Sequence, residues 1–168
     1  MRSRPIMFVA VLGIILLPGA EVKAADLSKE GTYTDSFYGF GSFKGYAIGK
    51  NRSLSGFEED GLHLGNGLFD HMTSHCFGTN DRVDDMREVR ANCIHTDLDG
   101  DQIVTDNRSD KYPRDAKTTN GVGVMTTGTG KYTGITGTIK YTCRSDFKAP
   151  TDGTFFVTCA NEGNYKLP

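Results

Sequence analysis

Nowhere after Ala25 do apolar residues recur at helical spacing for three turns, and this most constrains the fold. Short runs rich in Thr, Tyr, Phe, Val and Ile are instead interrupted every 8–12 residues by Gly, Asn, Asp or Pro. That rhythm belongs to antiparallel sandwiches and barrels. It predicts strands near 31–40, 42–49, 52–58, 67–77, 87–97, 101–107, 120–127, 137–144 and 153–160. The most polar loop is then 78–86, with Asp81, Asp84 and Asp85. Strand count alone does not separate sandwich from barrel. Closure into a barrel removes exposed edges, which suits a secreted monomer without edge charges.

The first residues point to export. Arg2 and Arg4 precede an unbroken run of 12 apolar residues and glycine, Ile6 to Leu17. Pro18 and Gly19 follow, and Val22-Lys23-Ala24 places small residues where a signal peptidase reads them. The run is well short of the ~20 residues that cross a bilayer. Residues 1–24 are therefore expected to be a signal peptide, and 25–168 a single domain without an internal linker, periplasmic or extracellular. Removing Arg2, Arg4, Lys23 and Glu21 from 19 basic and 21 acidic residues leaves a formal charge of −4. A mildly acidic chain with scattered cations argues against nucleic acid and against an anionic membrane surface as partners.

The four cysteines, Cys76, Cys93, Cys143 and Cys159, lie in the exported part and contain no close pair. An even number in an exported chain reads as two disulfides with three connectivities. Sequential pairing is preferred, because each pair then encloses a short segment with a central turn signal. Chain entropy assigns roughly 3 kcal/mol to each such bridge. Alternation supports Cys143–Cys159: Ile139, Tyr141 and Cys143 share one strand face, and Phe155, Val157 and Cys159 share another. Pro150-Thr151-Asp152-Gly153 supplies the turn between them.

The segment from Gly128 to Gly137 holds four glycines, Gly128, Gly130, Gly134 and Gly137. Such a run forms neither a helix nor a strong strand, so a tight connection is expected. Gly130-Lys131 is followed by Tyr132 and a strand rather than by Ser or Thr and a helix, so it is no P-loop. Tyr132 and Ile135 are expected to cover one end of the fold, with Lys131 pointing into water.

This segment, continued by Thr138-Ile139-Lys140-Tyr141-Thr142-Cys143, resembles small exported bacterial proteins of the allene-oxide-cyclase-like barrel type. The aromatic and Gly-rich start, the Cys76 strand, Asp97-Leu98-Asp99-Gly100-Asp101 and the closing Phe155–Cys159 strand follow in the family's order. Dirigent proteins share a similar Gly-Thr-Gly-Lys-aromatic turn. The resemblance implies an all-β fold, a single antiparallel barrel of about eight strands with calycin-like shape. It does not imply the cyclase reaction, and no catalytic residue is carried over.

Three further groups carry residue types suited to chemistry. Asp97, Asp99, Asp101 and Asp106 flank Gly100, but placing Gly100 at position six of an EF-hand loop puts His95 at position one and Asp106 at twelve. Asp99-Gly100 reads better as a type I′ hairpin, with Asp97, Asp99 and Asp101 a weak cation site at its tip. His71, His75 and His95 lie near the first cysteine pair. With Cys76 opposite Cys93, His95 opposes Ser74 on the cysteine face while His71 and His75 face away, leaving those two a weak pair of ligands and no metal centre. No serine sits in a nucleophile elbow, and Glu58 and Glu59 cannot be assigned a shared cleft. Asn51-Arg52-Ser53 and Asn107-Arg108-Ser109 are sequons relevant only in a eukaryotic host.

No cofactor is implied. The leading expectation is a non-catalytic barrel that binds a small apolar or amphipathic ligand in its mouth. The rival is a cyclase or isomerase acting by conformational control of a small substrate. A filled, purely structural barrel is the third. An apolar lining favours the first, and convergent ionisable groups favour the second.

Overall fold

A computed structural model describes residues 27–145 and 151–168, so the expected signal peptide and Pro150 lie outside the described residues. Nine strands follow in order: β1 (Glu30–Ile48), β2 (Arg52–Asn66), β3 (Thr73–Val83), β4 (Met86–Thr96), β5 (Gln102–Ser109), β6 (Tyr112–Pro113), β7 (Thr118–Gly128), β8 (Thr136–Arg144) and β9 (Thr154–Lys166). A single 3-10 turn, Gly130–Tyr132, joins β7 to β8. β6 is only two residues long and adds to one end of β4. The other eight strands pair antiparallel, each with its chain neighbour, and β9 pairs back onto β1. The result is a closed, eight-stranded up-and-down barrel. Closure leaves no free edge among the eight.

Alternation along each strand decides what faces inward. On β1, Tyr33, Asp35, Phe37, Gly39 and Gly41 are buried, while Thr32, Thr34, Tyr38 and Phe40 are exposed. The expected break between strands at residue 41 does not occur. β1 runs through it, because Gly41 faces inward opposite Glu59 and Phe155. A Cβ there would meet the Phe155 ring at 2.6 Å and the Glu58 carbonyl at 2.3 Å, so glycine makes room rather than a turn. The polar stretch 78–86 is corrected as well. Most of it is strand, hydrogen-bonded to β2 on one side and β4 on the other. Only Asp84-Asp85 turns the chain, with Asp84 at φ 52°. Conversely, the first part of the expected 67–77 strand is a connection, and His71 there has φ 61°.

That connection and the 130–135 segment plug one end of the barrel. Leu68, Phe69, Met72, Tyr132 and Ile135 pack there against Tyr33, Ile103, Met125, Ile139 and Tyr165. Each fully buried side chain of this size contributes on the order of 2 kcal/mol. Gly130 (φ 50°) and Gly134 (φ 78°) set the path of the 130–135 segment. Among the described residues no comparable apolar plug covers the opposite end. Cys76–Cys93 bridges directly opposed residues of β3 and β4, and Cys143–Cys159 does so for β8 and β9. There is no free cysteine. Among the described residues no helix is long and apolar enough to cross a membrane.

Candidate functional site

Between the opposite end and the apolar plug, the barrel interior holds two connected spaces. The outer one, of about 390 Å³, is walled by Phe43, Phe57, Phe155, Val157, Tyr112 and Tyr141. The inner one, of about 140 Å³, shares Phe57, Glu59, Val89, Tyr141, Cys143 and Cys159 with it. Inward alternation puts all four cysteines on the wall of the inner space, so both disulfides line the interior rather than a hairpin surface.

Beneath lies a belt of polar side chains drawn from six neighbouring strands. Asp35 (β1) has Asn161 (β9) opposite it, and Asn161 Nδ2 donates to Asp35 Oδ2 at 2.9 Å. His63 (β2) Nδ1 lies 2.5 Å from the same oxygen, and His63 Nε2 lies 2.9 Å from Ser74 (β3) Oγ. Ser74 Oγ is 2.5 Å from His95 (β4) Nδ1, and His95 Nε2 is 3.0 Å from Thr105 (β5) Oγ1. Asn107 Nδ2 donates to Thr105 Oγ1 at 2.8 Å.

The chemistry of the ends is compatible with a single direction of donation along the chain. Asp35 as a carboxylate only accepts, and the Asn107 amide nitrogen only donates. Every link is satisfied if Thr105 donates to His95, His95 Nδ1 to Ser74, Ser74 to His63, and His63 Nδ1 to Asp35. The His95 imidazole is then neutral. Burial, reinforced by the nearby His63, holds the His95 pKa well below the usual histidine range, which agrees with this arrangement. Phe69 from the plug stacks on His63 at 5.3 Å and packs at a tilt against His95 at 4.6 Å. A continuous network of this kind ties adjacent strands together in register.

Asp35, His63 and Ser74 reproduce the order of a hydrolytic triad, but the arrangement is not one. Ser74 is 4 % exposed, forms no part of either cavity wall, and spends its hydroxyl on two imidazoles. A nucleophile needs an approach for its substrate.

Glu59 is the carboxyl that lines both spaces among the described residues. Burial, with a smaller contribution from the Asp60 charge, pushes its carboxyl up to about 8. Its Oε1 has no hydrogen-bond partner among the described residues, and neither has Asp35 Oδ1. Glu58 points to the outside, so the two acids share no cleft.

The other sequence candidates are dispersed. His71 and His75 lie outside the barrel, paired with Asp70 at 2.9 Å and Asp60 at 2.8 Å, so they are not neighbouring ligands. His95 opposes Ser74, as the cysteine register required. The turn at Asp97-Leu98-Asp99-Gly100-Asp101 is not type I′, since only Gly100 has positive φ. Its carboxylates are already engaged. Lys131 Nζ sits 2.6 Å from Asp97 Oδ2 and 2.5 Å from Asp99 Oδ2, and Tyr132 Oη donates to Asp97. Asp97 Oδ1 accepts from the backbone of Asp99 and Asp101, and Asp101 accepts from the Lys131 amide. The Lys131 ammonium thus occupies the place a cation would take: Lys131 is exposed, but its head group is paired with Asp97 and Asp99 rather than free in water. Asp106 stands apart within β5. Among the described residues no cluster suited to a metal ion is found.

In sequence, Glu59 is named without being placed in a site, and Asp35, His63, Arg82 and Arg87 are passed over. Period-two alternation through Phe57, Glu59, Gly61 and His63 was a usable signal for two of them. Comparison of the sequence with protein-family models and with curated proteins finds no match.

Proposed function

We propose that this barrel binds one small amphipathic molecule inside the end opposite the plug, without transforming it. The observation that carries the reading is the aromatic-walled interior space of about 390 Å³, which lies within the range of small-molecule sites. The surface of its wall is mainly apolar, with Glu59, Asn80, Arg82 and Arg87 among the polar groups that line it. Open interior space weighs against a filled, purely structural barrel. The closed eight-stranded form supports the likeness to exported barrels of the allene-oxide-cyclase-like, calycin-like type, and the two disulfides suit an oxidising compartment outside the cytoplasm. Export and family membership are part of this proposal. The test is native mass spectrometry of oxidised protein from its own host, followed by solvent extraction and titration with apolar fluorophores. A reproducible bound mass and saturable displacement support the reading. No bound mass and no saturable binding overturn it.

A second reading is favoured by one specific feature. Glu59, a protonated acid up to about pH 8, and the Asp35–His63 pair face the same inner space. An acid and a base across a small cavity suit proton transfer in an isomerase or cyclase. Incubating the extracted ligand with fresh protein decides between them. Turnover that Glu59→Gln abolishes, with binding retained, would establish the enzyme.

A further inference from the structure

We propose that the molecule held in the barrel is an anion, seated with an oxyanion head, carboxylate in the first instance, between Arg82 and Arg87 at the mouth and with its apolar body directed inward; this rests on the ligand-binding reading above. Arg82 and Arg87 stand directly opposite each other in the β3–β4 ladder, and both form part of the wall of the outer space. Like charges facing each other across a ladder are destabilising. Elsewhere on the same strands such charges are matched: Asp81 pairs with Arg52, and Glu88 with Arg90 and Arg108.

At the mouth they are not matched. The Nε of Arg82 and the Nε of Arg87 are both buried without a hydrogen-bond partner among the described residues. Arg87 is held in place by stacking over the Tyr112 ring at 4.5 Å and by donating to the Ala116 carbonyl at 3.2 Å. Burial together with the neighbouring Arg87 and Arg114 disfavours the charge on Arg82, the direction expected of a cation lacking its counter-ion. Among the described residues the sole carboxyl on the wall of this space is Glu59, farther down the barrel and protonated at neutral pH. Among the described residues, the wall of this space therefore presents two guanidinium groups and no ionised carboxylate.

A guanidinium fork is matched in geometry by a planar carboxylate, which accepts two parallel N–H bonds. Phe57, Val89, Tyr141, Phe155 and Val157 line the path inward from that point. An uncharged amphiphile would use the same wall and leave the cations unpaired. Charge is thus the feature that selects among ligands of equal bulk.

The experiment compares matched pairs on the oxidised protein by isothermal titration at pH 7: decanoate with 1-decanol, and naphthalene-2-carboxylate with naphthalene-2-methanol. The carboxylate of at least one pair should bind about tenfold or more tightly than its alcohol, the scale of one charge-assisted hydrogen bond. Arg82→Gln and Arg87→Gln should each remove most of that preference and leave the affinity for the alcohol unchanged. Both variants relieve like-charge repulsion, so they should fold, as far-UV circular dichroism and melting will check. Equal affinity of acid and alcohol, or variants that weaken both alike, would overturn the anion inference while leaving the ligand-binding reading standing. Absence of binding by all four probes would overturn both.

Discussion

Glu59 should make the stability of this protein fall as pH rises, and Glu59→Gln should abolish that fall. An ordinary glutamate titrates near 4.5, and burial raises this one to about 8. The folded state therefore holds a proton through a range in which the unfolded chain has released it. The stabilising effect of that proton is fully present below pH 4.5 and is lost as pH rises through about 8. At about 1.4 kcal/mol for each tenfold step in proton affinity, the total reaches at most roughly 5 kcal/mol, a large part of a small domain's stability. Gln keeps the shape of the neutral acid and does not titrate.

The assay is urea unfolding without reductant at intervals from pH 5 to 9. Far-UV circular dichroism serves as the probe, since the chain has no tryptophan. Wild type and variant should be of similar stability at pH 5, with the variant ahead by a few kcal/mol at pH 9. Taking the difference removes the opposite effect of His95, whose depressed pKa lowers stability in both proteins as pH falls through the ordinary histidine range. A difference that stays constant across pH 5 to 9 would refute the burial argument for Glu59.

Three other perturbations follow from the same geometry. Ser74→Ala leaves His63 Nε2 and His95 Nδ1 without their shared partner, and urea unfolding should show a loss of about 2–4 kcal/mol, since each buried unsatisfied group costs about 1–3. Lys131→Ala should lower stability by about 1 kcal/mol in low salt and less in 1 M NaCl, because the Asp97 and Asp99 pairs are partly solvated; a value near zero in low salt would show that they do not act together. Gly130→Val should lower the melting temperature far more than Gly49→Ala. Both sites have positive φ, but only at Gly130 would a Cβ run into a carboxylate, that of Asp101, and the combined strain is worth a few kcal/mol.

The strands, the cysteine pairs and the glycine-shaped connection at 128–137 were legible because each rests on local chemistry. Alternation with period two needs only a strand, and opposed cysteines need only the two strands that flank a turn. The same locality explains the errors. Gly41 reads as a break when only its neighbours in sequence are considered; what it meets is Phe155, more than a hundred residues away in the chain. Residues 78–86 are polar enough for a loop, yet become strand because β2 and β4 supply backbone partners on both sides. The candidate site was still less accessible. Asp35, His63, Ser74, His95, Thr105 and Asn161 come from six strands, and no spacing in the chain marks them as a set. They meet because β9 closes on β1 and brings Asn161 opposite Asp35, while the register of each ladder aligns the inward residues at one level. Alternation in the chain determined which side chains face inward. Closure and register, set by the whole barrel, decided which of them touch.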